Sequence, residues 1–126
     1  MRETYEFPQE FIWGASTAAH QIEGNNVASD WWAREHAECT DLSEPSGDAA
    51  DSYHRYGEDI RMLADAGLGL YRFSIEWARI EPAEGCFSQA HPLPHRHILD
   101  ACHQNGIQPT LTLTTKTFPP WPAAHG

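Results

Sequence analysis

Residues 11–24 have the sequence FIWGASTAAHQIEG, and this stretch decides the fold. Its first half is apolar and aromatic up to a glycine, which predicts a short buried strand at residues 11–17 that enters a loop. A run of small residues follows, and Gln21, Glu23 and Gly24 then complete a Gln-x-Glu-Gly pattern. The stretch therefore predicts polar side chains just beyond the end of a buried strand.

A long loop and then a helix are predicted downstream. Residues 25–47 are polar, which indicates a loop with one helical turn at residues 31–36. Ser46 is a suitable cap for the helix that follows, and Gly67 a suitable terminator. Apolar residues recur between them at helical spacing, so one face of this helix should pack on a core. These residues are Tyr53, Tyr56, Ile60, Leu63 and Ala64.

Two further strands and one further helix complete the pattern. Residues 70–75, LYRFSI, and residues 107–112 predict strands, and residues 96–105 predict the second helix. Residues 81–94 are rich in Pro and Gly and predict a loop. Strands that alternate with helices are typical of an α/β fold in which parallel strands are joined by helical crossovers.

Composition and charge narrow the classes of function. The 126 residues carry a formal net charge of −10, which disfavours partners such as nucleic acid or an anionic membrane surface. Three cysteines without a C-x-x-C pair suggest neither a disulfide framework nor a zinc cluster. The amino terminus lacks the pattern of a signal peptide, and no stretch approaches the length of a membrane span, so we expect a cytoplasmic protein.

The quoted stretch resembles the amino-terminal signature of family 1 glycoside hydrolases, the β-glucosidase type. Four further segments agree with that family in order and in approximate spacing. They are SDWW at residues 29–32, GDAADSYHRYGEDIRML at 47–63, YRFSIEWARIEPAEG at 71–85 and GIQPTLTL at 106–113.

This resemblance implies a partial (β/α)8 barrel over residues 1–126, with about the first three strands and two helices. It also implies hydrolysis of β-glucosides or related sugars with retention, which needs two carboxylates about 5–5.5 Å apart and no cofactor. In the family these carboxylates lie in Thr-x-Asn-Glu-Pro and Glu-Asn-Gly motifs, and the sequence contains neither. We therefore expect an amino-terminal fragment that has no catalytic residue and is inactive alone.

Two positions are candidates for binding the sugar. The resemblance implies that Gln21 binds the non-reducing sugar, and a side-chain amide can both donate to and accept from adjacent hydroxyls. The alternative for Gln21 is a loop amide that satisfies the backbone. The second position is Thr115, where the family has a histidine that binds the same sugar. Thr115 is shorter than an imidazole, and Lys116 stands where an aromatic residue is usual.

Arg72 is unusual because it places a guanidinium in the middle of an apolar strand. A buried charge without a partner is costly, so Arg72 should be paired. The resemblance implies that it would hydrogen-bond and orient the nucleophilic glutamate, which is missing here. The alternative is a structural salt bridge to another carboxylate of the barrel.

Other polar and aromatic residues receive structural interpretations. We expect Glu23 to brace its loop through backbone hydrogen bonds, and Glu76 to take no part in the chemistry. Trp13 and Trp77 should be packing residues, and His54 should pack on the first helix.

A histidine-rich segment raises the possibility of a metal site. It contains His91, His95, His97 and His103, but Pro92 and Pro94 argue against a helix at its start, and no Cys or acidic residue completes a ligand set. We therefore expect no metal. Three functions remain as alternatives: an inactive enzyme fragment, a sugar-binding remnant, and an unrelated α/β protein with a histidine metal site.

Overall fold

Three short parallel strands form one sheet in the order β1-β2-β3. The computed structural model describes residues 4–90 and 92–122. The strands are β1 (Gly14–Ser16), β2 (Leu70–Ser74) and β3 (Gln108–Thr112), and the two long helices are α3 (Ser52–Asp65) and α5 (Pro92–Gln104). Three short helices complete the chain, namely α1 (Ala19–Ile22), α2 (Asp30–Glu35) and α4 (Trp77–Ile80).

The two long helices cover one face of the sheet. Tyr71 and Phe73 of β2 point to this face, where they join Ile60 of α3, Cys102 of α5 and Ile107 in one buried cluster. The alternation of side chains along a strand sends Leu70, Arg72 and their neighbours to the other face. The fold is therefore part of an α/β barrel, with helices outside and the face that carries Arg72 inside.

The predicted helix pattern is confirmed, but the start of α3 is not. Ile60 is buried and Leu63 packs against the core, as the spacing indicated. Ser46 does not cap α3, which begins six residues later after Asp51 in a left-handed conformation. Gly67 has a φ of 78° and donates to Ala64 O, so it ends the helix as predicted.

The prediction for His54 is also wrong. Its side chain is 73% exposed, and its Nδ1 lies 2.6 Å from Oδ1 of Asp51. His54 therefore lies on the solvent side of α3 and does not pack on the core.

Two other elements differ from their predicted bounds. Helix α5 begins at Pro92, four residues before the predicted start. Proline is tolerated in the first turn of a helix, because the N–H group that it lacks would have no partner within the helix. The prediction that Pro92 and Pro94 oppose a helix there is therefore wrong. Strand β1 is shorter than predicted, because Ile12 and Trp13 precede its pairing with β2 and remain about half exposed.

No helix in the part of the chain that the structure describes combines the length and apolar character needed to cross a membrane.

The buried cluster provides a direct test of the fold. Ile60→Ala removes a side chain that is 0% exposed, so we expect it to lower the free energy of unfolding by about 2–5 kcal/mol. Met62→Ala, on the same helix, is the matched control, because Met62 is 66% exposed and its loss should cost no more than about 0.5 kcal/mol. Urea unfolding followed by circular dichroism measures both. Equal costs for the two variants would contradict the placement of the core.

Candidate functional site

The carboxyl ends of β1, β2 and β3 lie at the same edge of the sheet, and the loops that follow these strands meet there. Between the first and third loops lies a cavity of about 180 Å³. One side, which we name the first wall, consists of His20, Gln21 and Trp31. The opposite side, the second wall, consists of Thr115, Lys116 and Thr117.

The two residues predicted to bind sugar lie on opposite walls of this cavity. Gln21 belongs to α1, which follows β1 directly, and its side chain is exposed. Oγ1 of Thr115 is buried and has no hydrogen-bond partner among the described residues. The structure thus brings Gln21 and Thr115 together, and their role in sugar binding stays a prediction.

Trp31 gives the first wall an aromatic surface. Its ring lies beside His20, with the centroids 6.3 Å apart, and the guanidinium of Arg34 lies 5.0 Å from the indole centroid. Arg34 in turn pairs with Asp41. The cavity therefore combines an amide, hydroxyl groups, an indole ring, the imidazole of His20 and the ammonium group of Lys116. These groups suit a ligand that has hydroxyl groups.

Trp13 and Trp77 make packing contacts, as predicted, although Trp13 is 55% exposed. Its ring contacts those of Phe7 and Phe11, at centroid distances of 4.8 and 4.9 Å. Trp77 donates through Nε1 to Oε2 of Glu81 and packs edge-on against Trp121. Neither residue lines the cavity.

Arg72 does not line this cavity. Its Nε donates to Oγ1 of Thr112 on the neighbouring strand, at 2.8 Å, and no described carboxylate forms an ion pair with it. The side chain is only partly buried, because no fourth strand in the described part of the chain covers the inner face of the sheet. The expected ionic partner of Arg72 is therefore not among the described residues.

Glu23 has a structural role, as expected, but its partners differ from the prediction. Its carboxylate is 6% exposed and accepts from Nε of Arg79 at 2.9 Å, and Nε2 of His95 lies 3.4 Å away. Arg79 also donates to the carbonyl of Gly24. Glu23 thus braces the loop through side chains and not through backbone hydrogen bonds.

Gly24 is required where the loop after β1 turns. Its φ is 80°, and a Cβ at this position would collide with the backbone of Asp48. Both features favour glycine, because the backbone of any other residue would be strained at this φ and its Cβ would have no space.

A buried polar network that the sequence did not predict supports the first wall. Nε2 of His20 lies 2.8 Å from Oε1 of Glu35, and Nδ1 of His20 accepts from Nδ2 of Asn26 at 3.2 Å. Oε2 of Glu35 also accepts from the backbone N–H and hydroxyl of Ser46, at 3.0 and 2.8 Å. This explains why Ser46 does not cap α3. Burial by itself raises the pKa of Glu35, but these hydrogen bonds outweigh it and hold the pKa below its ordinary value.

The network continues to Glu76, which is 0% exposed. Oε2 of Glu76 accepts from Nδ2 of Asn26 and from the hydroxyl of Thr117, both at 2.6 Å. Its Oε1 accepts from the N–H of Ala78 at the start of α4, at 3.3 Å. Burial raises the pKa of Glu76, and the hydrogen bonds offset that effect only in part.

The histidines of α5 lie apart from the cavity. His95 is buried beside Glu23, and His97 lines an open groove between α3 and α5. His91 lies outside the described residues. Among the residues that are described, no group of three or more His, Cys, Asp or Glu side chains could hold a metal ion.

Comparison with known proteins decides the family. Residues 3–120 match the model of glycosyl hydrolase family 1. The chain belongs to glycosyl hydrolase family 1. Among curated family 1 members, coniferin β-glucosidase of Pinus contorta is 41% identical over 114 residues, which cover 85% of this chain and 22% of that protein. A probable inactive β-glucosidase of Oryza sativa subsp. japonica is 38% identical over 123 residues, or 90% of this chain and 24% of that protein.

Solved family 1 structures agree with the observed fold. The β-glycosidase BGL167 is 53% identical with a TM-score of 0.86, over 90% of this chain and 27% of that chain. A β-glucosidase from Thermotoga maritima in complex with castanospermine is 31% identical with a TM-score of 0.83, over 94% of this chain and 29% of that chain. This chain therefore spans about a quarter of the length of the family 1 relatives that it matches.

The His20–Glu35 pair predicts how stability depends on pH. A carboxylate whose folded pKa is lowered stabilises the fold above its ordinary pKa, and the contribution is lost as pH falls through the folded pKa. Glu35→Gln should therefore lower the free energy of unfolding by about 1–3 kcal/mol at pH 7, and by progressively less below about pH 4.5.

Urea titrations of the unchanged chain and of Glu35→Gln between pH 3 and pH 7 measure this difference in the free energy of unfolding. Glu38→Gln is the matched control, because Glu38 is exposed and close by, and this variant should track the unchanged chain. A difference in the free energy of unfolding that stays constant down to pH 3 would show that Glu35 does not act through its charge.

Proposed function

We propose that this chain forms the part of a retaining β-glucosidase that binds the glycone, and that it does not cleave glycosides alone. The observation that carries the proposal is the lining of the cavity, which offers an amide, hydroxyl groups and an indole ring but no carboxylate. A retaining glycosidase needs two carboxylates about 5–5.5 Å apart at the scissile bond. The β-glucosidases among its family 1 relatives support the choice of substrate class.

All four glutamates that are buried among the described residues are held by structural partners. Glu81 accepts from the indole N–H of Trp77 and from the backbone N–H of Gly85. Glu23 is held by Arg79, Glu35 by His20 and Ser46, and Glu76 by Asn26 and Thr117. A nucleophile must instead present a carboxylate oxygen to the sugar. Each of these carboxylates would have to leave its hydrogen bonds to act, which supports a binding role for the chain without cleavage.

Arg72 also supports the proposal that the reacting carboxylates come from the rest of the barrel. A guanidinium on the inner face of the sheet, whose one side-chain bond among the described residues is to a threonine hydroxyl, has the capacity to hold a carboxylate bidentately. In the proposed enzyme, a carboxylate from the rest of the barrel pairs with Arg72 and stays ionised there. The residue positions that group and does not itself react.

A sugar-binding remnant is the second candidate. The cavity volume of about 180 Å³ disfavours it, because pockets for small molecules usually enclose about 300–1,000 Å³. Thr115 also leaves the second wall without the imidazole that the family resemblance implies. Further walls from the rest of a barrel would complete the pocket.

The proposal predicts no turnover by the chain alone. Incubation with a chromogenic β-glucoside should give no release of the chromophore above background. A chimaera in which this chain replaces the matching 27% of BGL167 should hydrolyse the same substrate, with intact BGL167 as the positive control. Hydrolysis by the unextended chain, abolished by a family inhibitor, would refute the proposal.

Gln21 should contribute to glycone binding in this chimaera. Gln21→Ala removes an amide that can bond two sugar hydroxyls, so we expect kcat/KM to fall about 10-fold to 100-fold. Gln104→Ala is the matched control, because Gln104 is an exposed glutamine on α5, away from the cavity, and should change kcat/KM less than twofold. Equal kinetics for the two variants would remove Gln21 from the site.

A further inference from the structure

We propose that Glu76 is a positioning residue that ties the two walls of the cavity together and sets the distance between Gln21 and Thr115. This inference depends on the proposed function only for the identity of the ligand. Glu76 follows the central strand β2, so it emerges between the loop after β1 and the loop after β3. It is 0% exposed and does not line the cavity.

The link from Glu76 to the first wall passes through Asn26. Nδ2 of Asn26 donates to Oε2 of Glu76 at 2.6 Å and to Nδ1 of His20 at 3.2 Å. Asn26 is 1% exposed, and its bond to Glu76 is buried, whereas its bond to His20 is partly buried. His20 is adjacent to Gln21 in α1, and its other ring nitrogen is fixed by Glu35. The orientation of Gln21 therefore depends on this chain of hydrogen bonds.

The link to the second wall passes through Thr117. Its hydroxyl donates to the same oxygen of Glu76 at 2.6 Å, and its backbone N–H donates to the carbonyl of Thr115 at 2.7 Å. Thr117 is 4% exposed. One carboxylate oxygen thus holds Thr117 of the second wall and Asn26, which bonds to His20 of the first wall. Buried hydrogen bonds to a carboxylate are among the stronger ones in proteins.

A second connection joins the walls at their rim. The N–H of Asp30 donates to Phe118 O at 2.8 Å, and the N–H of Phe118 donates to Oδ1 of Asp30 at 2.9 Å. The bond to the Asp30 side chain is exposed to solvent. Water competes with exposed bonds, so this connection tolerates movement that the buried bonds to Glu76 do not.

Matched threonine variants test the proposal. Thr117→Val removes the hydroxyl at nearly constant shape, and Thr117→Ser keeps the hydroxyl. Thr4→Val is the control, because Thr4 is exposed and does not line the cavity. Hydrogen–deuterium exchange on the full chain should show exchange about fivefold faster or more at residues 19–26 and 114–118 together in Thr117→Val, and unchanged exchange in Thr117→Ser.

Kinetics of the BGL167 chimaera provide the second measurement. Both walls contact the glycone in ground and transition states, so Thr117→Val should raise KM for an aryl β-glucoside about tenfold and change kcat less than threefold. Thr117→Ser should restore KM to within about twofold of the parent chimaera, and Thr4→Val should leave it unchanged. A residue that only stabilised the fold would lower the yield of active protein without moving KM.

The outcomes separate this proposal from the proposed function. If the parent chimaera hydrolyses no β-glycoside, the proposed function fails, and the exchange measurement on the full chain still decides whether Glu76 couples the walls. Faster exchange at residues 114–118 alone, or a Thr117→Ser variant as impaired as Thr117→Val, would overturn the positioning role. If both segments respond together and serine rescues the effect, the role is supported.

Discussion

Parallel pairing of β2 with a strand on each side is the constraint on which the rest of the structure depends. The register aligns Arg72 with Ser16 of β1 and with Thr110 of β3. Parallel strands deliver their following loops to one edge, so the pairing alone brings the loops after β1 and β3 together around Glu76. The same register places Arg72 on the face away from the helices, beside Thr112.

Polar groups at this edge divide into two layers with different tasks. Groups that line the cavity, such as Gln21 and Lys116, are exposed and able to meet a ligand. Groups beneath them, such as Glu35 and Glu76, are buried and satisfied by fixed partners. Buried carboxylates with several donors hold their surroundings in place, and this positioning role is the one that we propose for these glutamates.

Local patterns in the sequence were enough for the three strands and the two long helices, but not for the short helices α1 and α4 or for the polar network. Strand β2 was predicted to within one residue, because its apolar run is short and follows a glycine-terminated helix. The start of α3 was missed because Ser46 is bonded to Glu35, eleven residues earlier, and not to the helix. Asn26 and Glu76 are fifty residues apart, so no local spacing could predict their bond. Resemblance to family 1 supplied the expected roles of Gln21 and Arg72, because composition and periodicity assign a role to neither residue.

Completion of the site by further polypeptide is the central claim, and a crystal structure of the BGL167 chimaera with a glucoimidazole inhibitor tests it most directly. A related inhibitor is bound in a β-glucosidase of Thermotoga maritima that is 31% identical to this chain. We expect the amide of Gln21 within about 3.2 Å of sugar hydroxyls, and the guanidinium of Arg72 paired with a carboxylate from the added strands. An inhibitor bound away from Gln21, or Arg72 still bonded to Thr112 alone, would contradict the claim.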